Sequence, residues 1–143
     1  MVRDALRIME TDERNHAVLR HAGAALRTGG KLLLTTLNAL FPLFHSVKDF
    51  LEKGGSSTAT GKLAFDLMTF REHAELTFTD DVGQSRTVEI NERYYTPPEM
   101  RWLLRTAGFA KVDIFGCRLG AFSRDRALAP DDFEMLVIAE KGA

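Results

Sequence analysis

The sequence predicts an α/β domain with an inserted β-hairpin, and three stretches of the chain predict it. A helical pattern over residues 12–28 runs through Gly29-Gly30 into the apolar run Lys31–Leu37. Between Leu76 and Ile90 the apolar period changes to two. Thr96-Pro97-Pro98-Glu99 then opens a second helix that stops at Gly108, ahead of two more apolar runs.

Each element has a local reason. Leu19, Ala22 and Leu26 recur at three and four residues and so share one helix face. Asp12 is the expected cap, with Glu13 favourable in the first turn. Glycine at 29 and 30 accepts the left-handed conformation that ends a helix. Lys31-Leu32-Leu33-Leu34-Thr35-Thr36-Leu37 lacks polar alternation over its first half, which predicts a strand buried on both faces. Phe41, Phe44, Val47 and Leu51 return to helical spacing, with Pro42 tolerable in a first turn.

Residues 54–61 (GGSSTATG) are the one low-complexity stretch, predicted to be a flexible loop. Leu76 and Phe78, then Val88 and Ile90, alternate with polar residues around the turn-forming Asp80–Ser85. This reads as a hairpin with one wet face, and Phe65–Phe70 is a candidate further strand before it. At Thr96 the cap, the proline at the first helical position and Glu99 three residues on make a capping box. Met100, Leu103, Leu104 and Ala107 form its buried stripe, with Phe109 folding back on Leu104 past Gly108. Lys111–Phe115 and Phe133–Ala139 are the last strands. No segment repeats at a fixed period, and residues 1–143 read as one domain with 64–95 as the insertion.

Composition narrows the function classes. The chain has 143 residues, 45% apolar and 27% charged, as a globular domain has. Nineteen basic against twenty acidic residues leave a net charge of −1, which argues against nucleic acid as a partner. Cys117 is the one cysteine, so neither an internal disulfide nor a cysteine metal cluster forms. No apolar run approaches a membrane span, and the charged N-terminal residues lack the apolar stretch of a signal peptide. The expected location is cytoplasmic.

Most motifs fail on spacing. None of the eleven glycines is two residues from another, as a dinucleotide loop requires. Gly55–Lys62 is one residue too long for a phosphate-binding loop, with Leu63 in place of the magnesium-holding hydroxyl. His16 and His21 lie about 140° apart around a helix and cannot share a metal, so no metal site is expected. His45 lies among aromatics and His73 among alternating polar residues, both expected to be structural or exposed. Ser123 has no nucleophile-elbow frame. Asp80-Asp81 and Asp131-Asp132 sit in turns, where aspartate caps its own backbone. Arg101 and Arg105, one helical turn apart, read as a solvated face.

Three stretches together resemble the C-terminal half of class I S-adenosylmethionine-dependent methyltransferases. Asn15–Arg20 through Ala25–Leu34 is similar to that family's helix and fifth strand, with Thr28 where proline is usual. Arg93–Met100 through Leu103-Leu104 to Ala107-Gly108-Phe109 resembles the segment before its sixth strand. Phe133–Lys141 is similar to its final antiparallel strand. The resemblance covers essentially the whole chain. It implies a partial Rossmann-like methyltransferase sheet, made of the last three strands with the final one antiparallel, flanking helices and an inserted β-hairpin.

In that family the donor is held by loops after the first four strands, none of which this sequence matches. The resemblance therefore implies S-adenosylmethionine for the complete enzyme, no cofactor-binding residue here and no tight donor binding by this chain alone. What remains shapes the acceptor pocket. Asn38 follows the first buried strand on the crevice side, and the hairpin with Arg93-Tyr94-Tyr95 forms a lid. Tyr94 or Tyr95 is a candidate to stack on or hydrogen-bond a small-molecule acceptor, and Arg93 to pair with its carboxylate or phosphate. The competing reading has a tyrosine packing the hairpin and Arg93 paired with an acid of the hairpin. Arg124, before the last strand, is a weaker candidate.

The expected partners are the acceptor and either a second copy or the missing N-terminal half. An apolar strand without its neighbour leaves an edge that invites pairing. The alternative function is thus a non-catalytic, self-associating interaction module.

Overall fold

A computed structural model describes residues 11–47, 49–50, 64–79, 81–117 and 121–143. Helix α1 spans Asp12–Ala25. Its cap is Thr11 rather than Asp12, the threonine hydroxyl accepting the Arg14 N–H at 3.3 Å. Asp12 and Glu13 then occupy the first turn, where the helix dipole favours negative charge. Gly29 has φ 73°, the left-handed turn that redirects the chain into strand β1, Lys31–Leu37. A short helix α2 (Phe41–Phe44) follows, then strands β2 (Ala64–Asp66), β3 (Arg71–Thr79) and β4 (Ser85–Arg93). Helix α3 (Pro97–Thr106) and strands β5 (Phe109–Cys117) and β6 (Glu134–Lys141) complete the chain.

The main sheet has the order β1-β6-β5. Strand β6 is antiparallel to both neighbours, with Leu34 opposite Val137 and Val137 opposite Ile114. Strands β1 and β5 therefore run parallel on either side of a last, reversed strand. This is the partial sheet the resemblance implies.

Period two sends Leu32, Leu34, Val137 and Ala139 to one face, where they form a core with Leu19, Met100, Leu104 and Phe109. Both long helices lie on that face. Gly23 lets them close up, since a Cβ there would stand 2.9 Å from the Ala107 carbonyl oxygen. On the opposite face Leu33 is 41% exposed, so β1 is not buried on both faces as its apolar run predicts. The reason is that α1 and α3 share one side.

The helix expected over Phe41–Leu51 is interrupted. It stops at Phe44, His45 takes extended angles, and residues 47, 49 and 50 are helical again, while Leu51 and the expected loop at 54–61 lie outside the described residues. The insertion is a three-stranded antiparallel sheet, β2-β3-β4, with Leu76 opposite Val88. The strand expected at Phe65–Phe70 is short because Asp66 caps a turn. Its carboxylate accepts the Met68 N–H and the Thr69 hydroxyl, both at 2.8 Å, and Phe70 turns back with φ 52°. A second apolar cluster of Leu37, Ala39 and Tyr94, with Phe65, Phe70 and Phe133, joins the two sheets. Among the described residues, no helix is long and apolar enough to cross a membrane.

Candidate functional site

Open α/β sheets place their sites at the carboxyl ends of parallel strands. Here that end is where β1 finishes, and the loop before β6 returns to it. Asn38 joins the two. Its Nδ2 donates to the carbonyls of Asp132 (2.8 Å) and Ala129 (3.2 Å), and its Oδ1 accepts the Leu40 N–H (3.1 Å). Asp132 secures the same loop from within. It pairs with Arg126, accepts the Ala129 N–H, and fills the space where a Cβ at Gly116 of β5 would collide with it.

Tyr95 occupies the outer edge of β1, where its N–H donates to the Leu37 carbonyl and its carbonyl accepts the Ala39 N–H. The side chain is buried, and its hydroxyl accepts from Asn15 Nδ2 at 2.6 Å. Burial, with the Asp12 carboxylate adding to it, raises the phenol well above its ordinary range. Tyr94, also buried, donates its hydroxyl to Glu72 at 2.6 Å and rests against Phe65.

Arg93 ties three elements together. Its guanidinium donates to Asp12 at the start of α1 (3.2 Å), to Glu99 in α3 (2.9 Å) and to the Tyr94 carbonyl, and it stacks over the Tyr95 ring at 4.7 Å. Its acids come from the two helices, not from the hairpin. Arg71 donates to Asp12 as well, at 3.2 Å. Burial alone would raise the Glu99 carboxyl. The Thr96 N–H and hydroxyl and the Arg93 guanidinium outweigh it and hold Glu99 below the ordinary carboxylate range. Arg124 is exposed in the loop before β6, apart from this group.

Four of the five residues singled out by sequence thus converge at one end of β1, with their polar groups turned inward. The sequence reading left His45 and Asp131 aside, yet they meet across the mouth of this region, Nε2 to Oδ1 at 2.8 Å, with the imidazole stacked on Phe41. Eighty-six residues separate them, and only the fold brings them together. An aromatic series, Phe50, Phe41, Phe133, Tyr94 and Phe65, lines the same end, and Phe44 beside it is exposed. Cys117 is buried, and its thiol is pushed up to about 12 by burial with the Glu134 and Asp132 carboxylates adding, so it is not a nucleophile.

Elsewhere, a cavity of about 330 Å³ on the smaller sheet is lined by His73, Glu75, Glu89 and Asn91. Among the described residues no group of three or more His, Cys, Asp or Glu is placed to hold a metal.

No protein-family model and no curated protein matches the sequence. Solved structures do match. The chain is similar to the CcbJ methyltransferase of Streptomyces caelestis, with a TM-score of 0.65 and 14% identity over 96% of this chain and 54% of that one. It is similar also to an S-adenosylmethionine-dependent methyltransferase of Clostridium acetobutylicum, with a TM-score of 0.60 and 10% identity over 98% of this chain and 56% of that one. The fold is therefore part of the fold of S-adenosylmethionine-dependent methyltransferases. This chain spans about half the length of the structures it matches.

Proposed function

We propose that this chain is the acceptor-side part of an S-adenosylmethionine-dependent methyltransferase acting on a small molecule. The carrying observation is the match of nearly the whole chain to 54% of the CcbJ fold. The sheet order supports it, because two parallel strands flank one reversed strand.

The four candidate residues do not fit the donor. Asn38, Arg93, Tyr94 and Tyr95 spend their polar groups within the chain, so these four are not a set of groups to hold it. No step is derived through it. Methyl transfer from a sulfonium needs chiefly an aligned acceptor, so the contribution proposed for this half is orientation. Asn38 and Tyr95 fix the end of β1, Arg93 and Tyr94 fix the smaller sheet against it, and the aromatic series supplies an apolar wall. Arg124, exposed in the loop before β6, is the candidate to meet an acidic acceptor. A cytoplasmic setting fits this reading.

Two measurements test it. Calorimetric titration of the chain with S-adenosylmethionine should give no tight binding, and micromolar binding would overturn the assignment of the donor site to another part of the fold. Protein-observed NMR of the labelled chain, titrated with small amines, phenols and carboxylates, should yield binders that move the amides of Asn38 and His45. Binders confined to the far end of the main sheet would sink the acceptor-side reading. A second reading, a non-catalytic self-associating module, is favoured by one observation: β1 lies at the margin of its sheet.

A further inference from the structure

We propose, resting on the acceptor-side reading of this end of β1, that the acceptor is a phenol and that His45, held by Asp131, binds its hydroxyl.

The backbone brings the pair together from both sides. Helix α2 ends at Phe44, where His45 turns to extended angles while its N–H still reaches the Phe41 carbonyl at 3.0 Å. The imidazole lies on the Phe41 ring, with centroids 4.7 Å apart and 30° between the planes. On the other side, Asn38 holds the carbonyls of Ala129 and Asp132, and the Asp132 N–H donates to the Ala129 carbonyl at 3.1 Å. Asp131 sits inside that closed turn, and its carboxylate meets His45 Nε2 at 2.8 Å.

This bond decides what the ring can offer. A carboxylate oxygen accepts and does not donate, so Nε2 carries the proton. In the neutral ring the lone pair then stands on Nδ1, and among the described residues no donor meets it. The imidazole is 39% exposed in this chain, enough for a small molecule to reach it.

The surroundings choose among donors. Phe41 meets Phe133 edge-on at 5.2 Å and Phe50 at 5.0 Å, so the ring beneath His45 belongs to an aromatic wall. A carboxylate at Nδ1 would bring no proton and would face Asp131. An ammonium would seek the Asp131 carboxylate, the stronger partner, rather than the ring nitrogen. A phenol brings a neutral O–H for Nδ1 and an aromatic ring for the wall. The same bond is a route for the hydroxyl proton. It can pass to Nδ1, leaving its electron pair on the oxygen, and the imidazolium formed faces the Asp131 carboxylate.

The test uses the whole chain, isotope-labelled, and reads the imidazole nitrogens by NMR, with His45→Phe identifying the His45 signals. Without ligand, His45 should be the Nε2–H tautomer, and Asp131→Ala should return it to a mixture of the two. p-Cresol should shift the Nδ1 signal and bind about fivefold tighter than its methyl ether, which keeps the ring and the oxygen but has no O–H. His45→Phe keeps a ring on Phe41 and should abolish that preference. An Nδ1–H tautomer in the free chain would overturn the proposal. So would equal binding of p-cresol and its ether, or a preference that survives His45→Phe. If benzylamine moves the Asn38 and His45 amides and p-cresol does not, the phenol assignment fails and the acceptor-side reading stands. If every binder settles at the far end of the main sheet, both fail.

Discussion

The main sheet and the smaller sheet are held by different forces. Strands β1, β6 and β5 carry a dry layer in which Leu19, Met100, Leu104 and Val137 are buried beneath two helices. Strands β2–β4 are anchored to that body at their base by the small apolar cluster around Tyr94 and, beside it, by polar bonds: Arg71 and Arg93 to Asp12, Arg93 to Glu99, and Tyr94 to Glu72. Beyond that base, the residues of Ser85–Glu89 are all exposed. Apolar burial scales with area and tolerates small shifts, whereas a bonded polar cluster depends on every partner being present. The main sheet is thus the stable platform, and the smaller one is the part whose placement leans more on individual polar bonds.

Substitutions can break this contrast. Leu104→Ala opens a cavity in the main core and should cost about 2–5 kcal/mol, read as a large fall in Tm that affects the whole chain. Tyr94→Phe removes only a hydroxyl, but it takes a bond from the buried Glu72 carboxylate and should cost about 1–3 kcal/mol. Hydrogen exchange should quicken across 71–93 while β1 and β6 stay protected. Equal loss of protection in both sheets would show that they unfold as one unit.

Two smaller effects sharpen the picture. Thr96→Ala removes one arm of the capping box and should cost about 1 kcal/mol, measurable by denaturant titration. The Glu99 carboxyl lies below its ordinary value of 4.5 in the folded chain. Its contribution is therefore complete above 4.5 and is lost as pH falls through the lowered folded value. Glu99→Gln should flatten the acid limb of the Tm profile. An unchanged limb would mean that the Arg93–Glu99 pair adds nothing to stability beyond the other bonds of Arg93.

The same contrast decides how much was legible in the sequence. The apolar runs of β1, β5 and β6, the capping box at Thr96 and the glycine stop at 108 are local signals that the structure uses, whereas α1 expected over 12–28 already ends at Ala25 and Gly29 only turns the chain into β1. The break at His45 and the shortened β2 were not legible, because each depends on a single side chain finding a partner. The bonds of the candidate site were less legible still. Arg93 reaches Asp12 across 81 residues and His45 reaches Asp131 across 86, and no pattern of residue types records such a meeting. Residue type singled out Asn38, Arg93, Tyr94 and Tyr95, while their meeting at the end of β1 and their inward orientation needed the fold.

The fit of Asp132 into the space above Gly116 has an evolutionary consequence. A side chain gained at 116 must displace a carboxylate that also anchors Arg126 and Ala129. Position 116 should therefore stay glycine in descendants of this chain for as long as 132 keeps its carboxylate.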